Sequence, residues 1–174
     1  EEKPGGMLYC AIPPYRLPRE LIEKEIDSLL NDNIKIKRNA RFGRDFTVDG
    51  LFKDGFKAIL IAIGAHKSKR LRLRNEDLEG VIPSIEFLKA FNMRDKQLAR
   101  GRVGVIGGGN SAIDSARTAL RLKDVESVTI LYRRTRNEMP AFAEEIEAAE
   151  QEGIEIQTLV TPIQVLAENG RITG

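Results

Sequence analysis

The sequence predicts an α/β fold built on a parallel β-sheet, with a β-hairpin at the C-terminal end. Beyond position 100, segments with the two-residue period of a strand alternate with segments of helical period. The predicted strands cover residues 102–106, 127–132 and 154–159, and the predicted helices cover residues 111–122 and 141–152. Strands that alternate with helices are typical of parallel sheets. A further strand over residues 163–167 and the pair Asn169-Gly170, which favours a type I′ turn, predict the hairpin.

The first third of the sequence contains fewer regular elements. No helix or strand is predicted before Pro18, because each proline fixes φ and restricts the residue before it. Apolar residues at three- and four-residue spacing predict an amphipathic helix over residues 19–31. Alternation of Ile with Lys and Arg predicts a half-exposed strand over residues 34–40, and a continuous apolar run predicts a buried strand over residues 56–63.

A basic connector separates these elements from the alternating pattern. Residues 67–75 contain five Lys and Arg residues and show no clear period, and a short helix is predicted beyond them over residues 84–91. We therefore place a domain boundary near Arg74. The sequence predicts one domain over residues 1–74 and a second over residues 75–174.

The composition excludes several classes of protein. A chain of 174 residues with 41% hydrophobic and 31% charged residues can bury a core, and a formal net charge of +2 argues against a dedicated nucleic-acid surface. The longest apolar stretch is six residues, against the roughly 20 that cross a bilayer, so no membrane anchor is expected. Cys10 is the single cysteine, which excludes an intrachain disulfide, a CxxC redox pair and a cysteine-ligated iron–sulfur cluster built by this chain alone. A cytoplasmic location is expected.

A glycine-rich turn between the first predicted strand and helix carries the chemistry. Gly107-x-Gly109-x-x-Ala112 is a GxGxxA form of the dinucleotide fingerprint, and its position in a βαβ unit makes the match much stronger than the bare pattern. The helix N-terminus would then face the phosphates. The predicted cofactor-binding residues in this turn are Gly107, Gly108, Gly109, Asn110, Ser111 and Ala112. The alternatives are a glycine-rich turn that holds no ligand and a methyltransferase-type nucleotide site.

The end of the second predicted strand favours NADPH over NADH. A site for NADH usually has a carboxylate here, which accepts a hydrogen bond from the ribose 2′-hydroxyl. This strand instead ends in Tyr132-Arg133-Arg134, and two guanidinium groups can bind a 2′-phosphate in bidentate fashion. Arg136 is predicted to join them, with Arg133 the first choice. The alternative is a solvated basic face that follows a strand.

Three separated stretches together resemble the FAD- and NADPH-dependent small (beta) subunit of glutamate synthase and its relatives, including domains of dihydropyrimidine dehydrogenase. The resemblance covers nearly the whole chain and places it in the pyridine nucleotide-disulfide oxidoreductase superfamily. One departure is Cys10-Ala11, where the family more usually has Tyr-Gly. The matching stretches are Pro4-Gly5-Gly6-Met7-Leu8 with Ala11 to Pro18, Ile61-Ala62-Ile63-Gly64-Ala65, and Tyr132-Arg133-Arg134 through Glu138-Met139-Pro140-Ala141.

The resemblance implies a flavoprotein with two dinucleotide sites, of which this chain is an internal fragment. It implies a Rossmann-like NADPH-binding domain over residues 75–174, preceded by an incomplete part of an FAD-binding Rossmann-like half over residues 1–74. The first FAD fingerprint and the iron–sulfur cysteines are expected upstream of Glu1, and the returning FAD segment downstream of Gly174. By analogy, Gly64 and Ala65 would lie where the two halves meet. The residues expected to line FAD are Gly5, Gly6, Leu8 and Arg16.

The resemblance also implies an activity carried by the cofactors. Hydride passes from NADPH to FAD, and electrons continue to a partner, which in glutamate synthase is the large subunit that makes glutamate from glutamine and 2-oxoglutarate. No catalytic side chain and no metal ligand is therefore expected. His66 is predicted to be a surface residue, Cys10 a buried apolar one, and Asp114 a brace for the glycine loop.

Other functions remain open at this point. One alternative is a nucleotide-binding module without catalysis, and another is the electron-input domain of a different flavoprotein, such as a relative of dihydropyrimidine dehydrogenase. A nucleic-acid binder is disfavoured because basic residues are not interleaved with aromatic ones. We expect the chain by itself to be inactive. We also expect self-association, because the first 65 residues would leave strand edges and apolar surface uncovered.

Overall fold

The computed structural model describes residues 2–173 of the chain. The helices are Met7–Cys10 (α1), Arg19–Leu29 (α2), Val48–Lys53 (α3), Ser84–Arg94 (α4), Asn110–Leu120 (α5) and Ala143–Gln151 (α6). The strands are Gly101–Ile106 (β1), Val125–Tyr132 (β2), Glu155–Thr158 (β3), Ala167–Glu168 (β4) and Arg171–Ile172 (β5). The order from β1 to β3 confirms the predicted alternation of strands and helices.

The central sheet is parallel, with the strand order β1-β2-β3. Ile106 at the end of β1 lies opposite Leu131, and Tyr132 at the end of β2 lies opposite Thr158. The three carboxyl ends are therefore aligned at one edge of the sheet. Ligands of open α/β sheets bind at this edge, so the registers already indicate where a site can form.

The core lies between the sheet and the helices on one of its faces. Helix α5 packs on β1 and β2, and α4 and α6 both contact α5. Ile113 and Ala116 of α5 and Ile130 of β2 are completely buried, because the apolar residues of α5 recur at helical spacing while those of β2 alternate. The other face is more open: Gly104 is exposed and Ile106 is 41% exposed.

The C-terminal hairpin forms as predicted, although it is short. Asn169 and Gly170 have φ values of 50° and 76°, and two successive positive values are the requirement of a type I′ turn. The strand predicted over residues 163–167 is reduced to the first residue of β4. Gln164 contributes one isolated bridge, to Arg74.

Two predicted strands are wrong. Residues 34–40 and 56–63 are irregular, and Leu60 is 91% exposed. A strand is stable only when a neighbour accepts and donates its backbone hydrogen bonds, and no strand among residues 2–173 pairs with either segment. The apolar pattern was present, but the sheet that would bury it is not formed by the described residues. The expectation of a partial FAD-binding sheet in the first half is therefore not met by this structure.

The N-terminal segment is attached to the second half of the chain through α4. The side-chain amide of Asn92 donates to the carbonyl oxygens of Cys10 at 3.0 Å and Ile12 at 3.4 Å. Cys10 is 2% exposed, as predicted for an apolar role. The absence of regular structure before Pro18 was a wrong prediction, because α1 forms there.

The division into domains 1–74 and 75–174 stays a prediction. Their outermost residues, 1 and 174, lie outside the described part of the chain. The segment after the predicted boundary contacts the hairpin region, since the Asn75 amide donates to the Val165 carbonyl at 2.9 Å. Between residues 2 and 173, no helix is long and apolar enough to cross a membrane.

Candidate functional site

The glycine loop lies at the carboxyl edge of the sheet, between β1 and α5. Gly107 follows β1 directly with φ at +136°, a conformation that side chains rarely adopt, and its N–H donates to the Leu131 carbonyl at 3.0 Å. A Cβ at this position would lie 3.4 Å from the Cβ of Ala112. The small residues of the fingerprint thus let the chain turn sharply and let α5 start close to β1.

Gly108 lies against an aromatic ring. A Cβ at Gly108 would lie 2.7 Å from two ring carbons of Tyr132, a separation that packed side chains do not reach. The Tyr132 hydroxyl donates to the Glu138 carbonyl at 2.8 Å, which fixes the ring in place. The sequence pattern predicted Gly108 as a cofactor-binding residue because it lies inside the fingerprint. It did not reveal that Tyr132, at the end of β2, packs against this glycine.

The start of α5 presents backbone donors without acceptors. The N–H groups of Gly108, Gly109, Asn110 and Ser111 have no hydrogen-bond partner within residues 2–173, and no side chain caps the helix at Gly109. The α5 dipole adds positive potential at the same point. Four such donors around a glycine turn fit the pyrophosphate of a dinucleotide.

A second segment supports the loop from outside the fingerprint. The N–H of Ala141 donates to the Gly108 carbonyl at 3.1 Å, and the N–H of Phe142 donates to Oδ1 of Asn110 at 3.1 Å. Asn110 therefore satisfies a backbone donor at the start of α6, where Phe142 offers no capping side chain of its own. Sequence reasoning missed this contact. A helix whose N-cap is a phenylalanine was the available signal that the cap comes from elsewhere.

Arg133 and Arg134 follow β2 at the same edge of the sheet. Both are exposed, and neither forms an ion pair with any described residue. The Leu159 N–H donates to the Arg134 carbonyl at 3.1 Å, which holds the backbone of this turn on the end of β3. Arg133 and Arg134 come directly after Tyr132, the residue whose ring touches Gly108. Their guanidinium groups form no ion pair with the described residues and are available to an anion.

Arg136 is less available than its neighbours. Its guanidinium binds the Glu150 carboxylate on α6 at 2.6 Å, and this contact lowers the pKa of Glu150. The turn that carries it is closed by a capping box, in which the Glu138 N–H donates to the Thr135 side chain and the Thr135 N–H donates to the Glu138 carboxylate. The Thr135 hydroxyl also donates to that carboxylate. The hydrogen bond from the hydroxyl lowers the pKa of Glu138. An anion bound at Arg136 would compete with Glu150.

Arg16, which is predicted to line FAD, contacts helices α5 and α6. Its Nη1 lies 2.8 Å from the Asp114 carboxylate, and its Nε lies 2.8 Å from Oε1 of Glu145. The Asp114 carboxylate, which is predicted to brace the glycine loop, is 6% exposed and binds Arg16 rather than a residue of the loop itself. Burial raises the pKa of Asp114 in spite of that contact. Arg16 and Asp114 are 98 positions apart in the sequence, so no local pattern could predict their contact.

The same ion pairs continue along α5 and α6. Arg117 binds Glu145 and also Glu152, the latter at 2.7 Å, and Arg121 binds Glu152 at 2.7 Å. Hydrogen bonds from the two arginines lower the pKa of Glu152 to about 2. We call the six residues of this connected set the interhelix ion network: Arg16, Asp114, Arg117, Arg121, Glu145 and Glu152.

Tyr15 adds an aromatic contact to this network. The guanidinium carbons of Arg117 and Arg121 lie 4.9 Å and 4.3 Å from its ring centre. Its hydroxyl points inward to the Asp114 carbonyl at 3.5 Å, although about a third of the residue is exposed. Burial raises the pKa of Tyr15 to about 12. Tyr15 and Arg16 thus both seat the N-terminal segment on α5.

The remaining predicted site residues lie elsewhere. Gly5 and Gly6 form a positive-φ turn before α1, with Gly5 against Ile22 of α2, and Leu8 is 51% exposed. Gly64 and Ala65 lie in an exposed irregular segment, beside the exposed His66. The described contacts do not join this second group to the glycine loop. Their proximity to FAD therefore stays a prediction.

The glycine loop, the open helix start and the two unpaired arginines are the features of the dinucleotide-binding class of α/β domain. Residues 7–173 match the family of pyridine nucleotide-disulphide oxidoreductases, and the chain belongs to that family. The family predicted from the sequence motifs is thus confirmed, and the chain is a domain of the pyridine-nucleotide oxidoreductase type.

Characterised relatives agree with this placement. The chain is 43% identical to the NADP(+)-dependent formate dehydrogenase subunit beta of Moorella thermoacetica and 40% identical to the NADPH-Fe(3+) oxidoreductase subunit beta of Geobacter sulfurreducens. It is 32% identical to the glutamate synthase [NADPH] small chain of Escherichia coli. Each match covers 98% of this chain, but only 24%, 26% and 38% of the respective relatives. The chain therefore corresponds to a part of each relative.

A solved structure supports the fold. FprA of Mycobacterium tuberculosis in complex with NADPH superposes with a TM-score of 0.80 at 17% identity. The superposition covers 98% of this chain and 53% of FprA. At this identity the likeness concerns the fold alone, which is that of a Rossmann-type oxidoreductase.

Proposed function

We propose that this chain binds NADPH and presents its nicotinamide to FAD within a larger flavin-dependent oxidoreductase. The observation that carries the proposal is the juxtaposition at one sheet edge of a glycine loop with free N–H groups and two arginines without ion-pair partners. The loop would hold the pyrophosphate, and Arg133 and Arg134 would hold the 2′-phosphate. No carboxylate follows β2 directly, and the first one along the chain, Glu138, interacts electrostatically with Arg134.

The protein's part in the reaction is to position cofactors. Once bound, the nicotinamide donates a hydride and the flavin accepts it, so no side chain needs to act as acid, base or nucleophile. Within the loop formed by Gly107 to Ala112, the free N–H groups of Gly108 to Ser111 would hold the dinucleotide, and α5 sets their direction. Arg133 would add the selectivity for NADPH, since a guanidinium gains far more from a phosphate than from a hydroxyl.

The FAD side of the proposal rests on the resemblance of residues 4–18 and 61–65 to the glutamate synthase small chain. The candidates for contact with the flavin dinucleotide are Gly5, Gly6, Leu8, Arg16, Gly64 and Ala65. Electrons would leave the flavin for a partner subunit, because several relatives are named as small or beta subunits.

The identity of the acceptor has two candidates. One is a glutamate synthase large subunit, in which case the product is glutamate from glutamine and 2-oxoglutarate. The greater identity to the formate dehydrogenase and Fe(3+) oxidoreductase beta subunits, 43% and 40% against 32%, favours a different acceptor. Reductive amination of 2-oxoglutarate to glutamate with glutamine as the nitrogen donor, assayed with NADPH and candidate partner subunits, separates the two.

The binding proposal is tested by calorimetric titration of the purified protein with NADPH and with NADH. We expect preference for NADPH, and we expect Arg133→Ala to lose most of that preference because one guanidinium contact to the 2′-phosphate is removed. Arg102→Ala is the matched control, since Arg102 is exposed, lacks an ion pair and lies at the amino end of β1.

The outcomes are distinct. If the wild-type protein bound neither nucleotide with FAD present, the proposed function would be wrong. If it bound both equally, or if Arg102→Ala changed the preference as much as Arg133→Ala did, the phosphate site would lie elsewhere.

A further inference from the structure

Arg16 is the one described residue that joins the N-terminal segment by ion pairs to the N-terminal halves of both α5 and α6. Its Nη1 contacts Asp114 of α5 and its Nε contacts Glu145 of α6, each at 2.8 Å. The Arg16 side chain is 19% exposed and that of Glu145 is 21% exposed. Two of the three nitrogens of the guanidinium are thus engaged, in a setting where water competes weakly.

These two carboxylates lie just behind the glycine loop. Asp114 is one helical turn after Asn110, and Glu145 is one turn after Phe142. Asn110 and Phe142 are themselves joined by the hydrogen bond at 3.1 Å that closes the loop. Two sets of contacts therefore join the N-terminal ends of α5 and α6. Asn110 forms the first beside the free N–H groups, and Arg16 forms the second one helical turn further along each helix.

Removal of the arginine would leave like charges facing each other. Asp114, which is almost fully buried, would lose its ion-pair partner, and Glu145 would keep only its contact with Arg117. A buried carboxylate without its partner is strongly destabilising. The two helices then separate, water enters between them, or the Asp114 carboxylate takes up a proton. Separation of the helices or entry of water moves the start of α5 relative to Phe142 and hence the four backbone donors.

We propose that Arg16 is a positioning residue for the pyridine-nucleotide site: it holds the starts of α5 and α6 together and so keeps the glycine loop in its binding geometry. The inference rests on the proposed function. It gives Arg16 a role at the pyridine-nucleotide site, and the contact of Arg16 with FAD stays a prediction. Through Arg16, the placement of residues 11–18 and the affinity for pyridine nucleotide are coupled.

The test compares Arg16→Gln and Arg16→Lys with Arg19→Gln in the purified protein. Arg19 is the matched control, because it lies on the same segment and donates to the Leu8 and Ile12 carbonyls without touching α5 or α6. Affinities for NADPH and for NADH are measured by calorimetry, and the folded fraction by thermal unfolding.

We expect Arg16→Gln to weaken the binding of NADPH and of NADH by the same factor. That factor is about tenfold, which is typical of coupling between sites. The NADPH-to-NADH ratio should stay constant, in contrast to Arg133→Ala. Arg16→Lys should restore part of the affinity, since it keeps the charge but not the two-pronged contact. Arg19→Gln should leave both affinities unchanged.

Arg16→Gln/Asp114→Asn removes both buried charges, and it serves if the single variant does not fold. A folded single or double variant with wild-type affinity overturns the inference, as does a variant whose thermal midpoint falls while its affinity per folded molecule is unchanged. Failure of the wild-type protein to bind either nucleotide contradicts the proposed function instead, so the two failures are distinguishable.

Discussion

Gly108 and Gly109 are neighbours in the glycine loop, but their surroundings differ. A Cβ on Gly108 would enter the Tyr132 ring at 2.7 Å, whereas a Cβ on Gly109 would meet only Cγ of Pro140, at an ordinary 3.8 Å. Gly109 has φ at −93°, which any residue adopts. Packing therefore requires glycine at position 108, and the approach of a ligand is the remaining reason for glycine at position 109.

This difference predicts that alanine at position 108 lowers the stability of the fold, whereas alanine at position 109 lowers the affinity for NADPH. Gly108→Ala should lower the free energy of unfolding by about 1–3 kcal/mol, the usual cost of overpacking. Gly109→Ala should change it by no more than about 0.5 kcal/mol, as expected of a site with room for a methyl group. Gly109→Ala should nevertheless weaken NADPH binding, because its methyl group would stand where the pyrophosphate approaches. Urea denaturation and calorimetry measure the two effects, and equal destabilisation by both variants would contradict this account.

At the scale of elements, the sequence predicted what is local and missed what depends on distant partners. Strands β1 to β3 and helix α5 carry their periodicity within about ten residues, and they form close to the predicted positions. Residues 56–63 carry an equally clear apolar pattern, yet no described strand pairs with them. The glycine loop was predictable from its spacing, whereas its support by Phe142 and the ion pairs of Arg16 join residues that share no local pattern.

The pairing of α5 with α6 predicts a dependence of stability on pH. The pKa of Glu152 falls from its usual 4.5 to about 2 in the folded protein, chiefly through the hydrogen bond from Arg121. The unfolded chain therefore binds more protons between these values, so the stabilisation is complete above about pH 4.5 and is lost as the pH falls towards 2. The stability difference between wild type and Glu152→Gln should shrink over this interval.

Urea denaturation at a series of pH values measures that difference. Glu144→Gln is the control, because Glu144 is exposed on the same helix and forms no ion pair with the described residues. A difference between wild type and Glu152→Gln that stayed constant from pH 5 to pH 2 would show that the arginines do not stabilise the carboxylate.

At the scale of the whole molecule, order and burial are unevenly distributed. The sheet with α4, α5 and α6 contains nearly all of the completely buried apolar residues, whereas residues 56–63 expose a run of large side chains. Leu60, Ile61 and Ile63 are 91%, 57% and 64% exposed. Contiguous apolar surface of this kind commonly marks a place where another surface packs.

The exposed run predicts self-association of this chain. Sedimentation velocity over a concentration series should show reversible oligomers, and Leu60→Lys/Ile63→Lys should shift the distribution towards monomer by placing charge on the contact. Ile163→Lys is the control, since Ile163 is 83% exposed but lies near the hairpin. A monomer at every concentration, or equal effects of the two sets of substitutions, would contradict the prediction.

The support of the glycine loop by the segment around Phe142 also sets an order of events during synthesis. Asn110 leaves the ribosome 32 residues before Phe142, the residue whose N–H it accepts. Translation proceeds at about 5–20 residues per second, so for some seconds the nascent chain has β1 and the fingerprint but not the contacts that shape the turn. A ribosome stalled between these two positions would carry the complete fingerprint without the contacts that support its loop. Arrested chains of increasing length should therefore acquire nucleotide binding only after Phe142 has emerged.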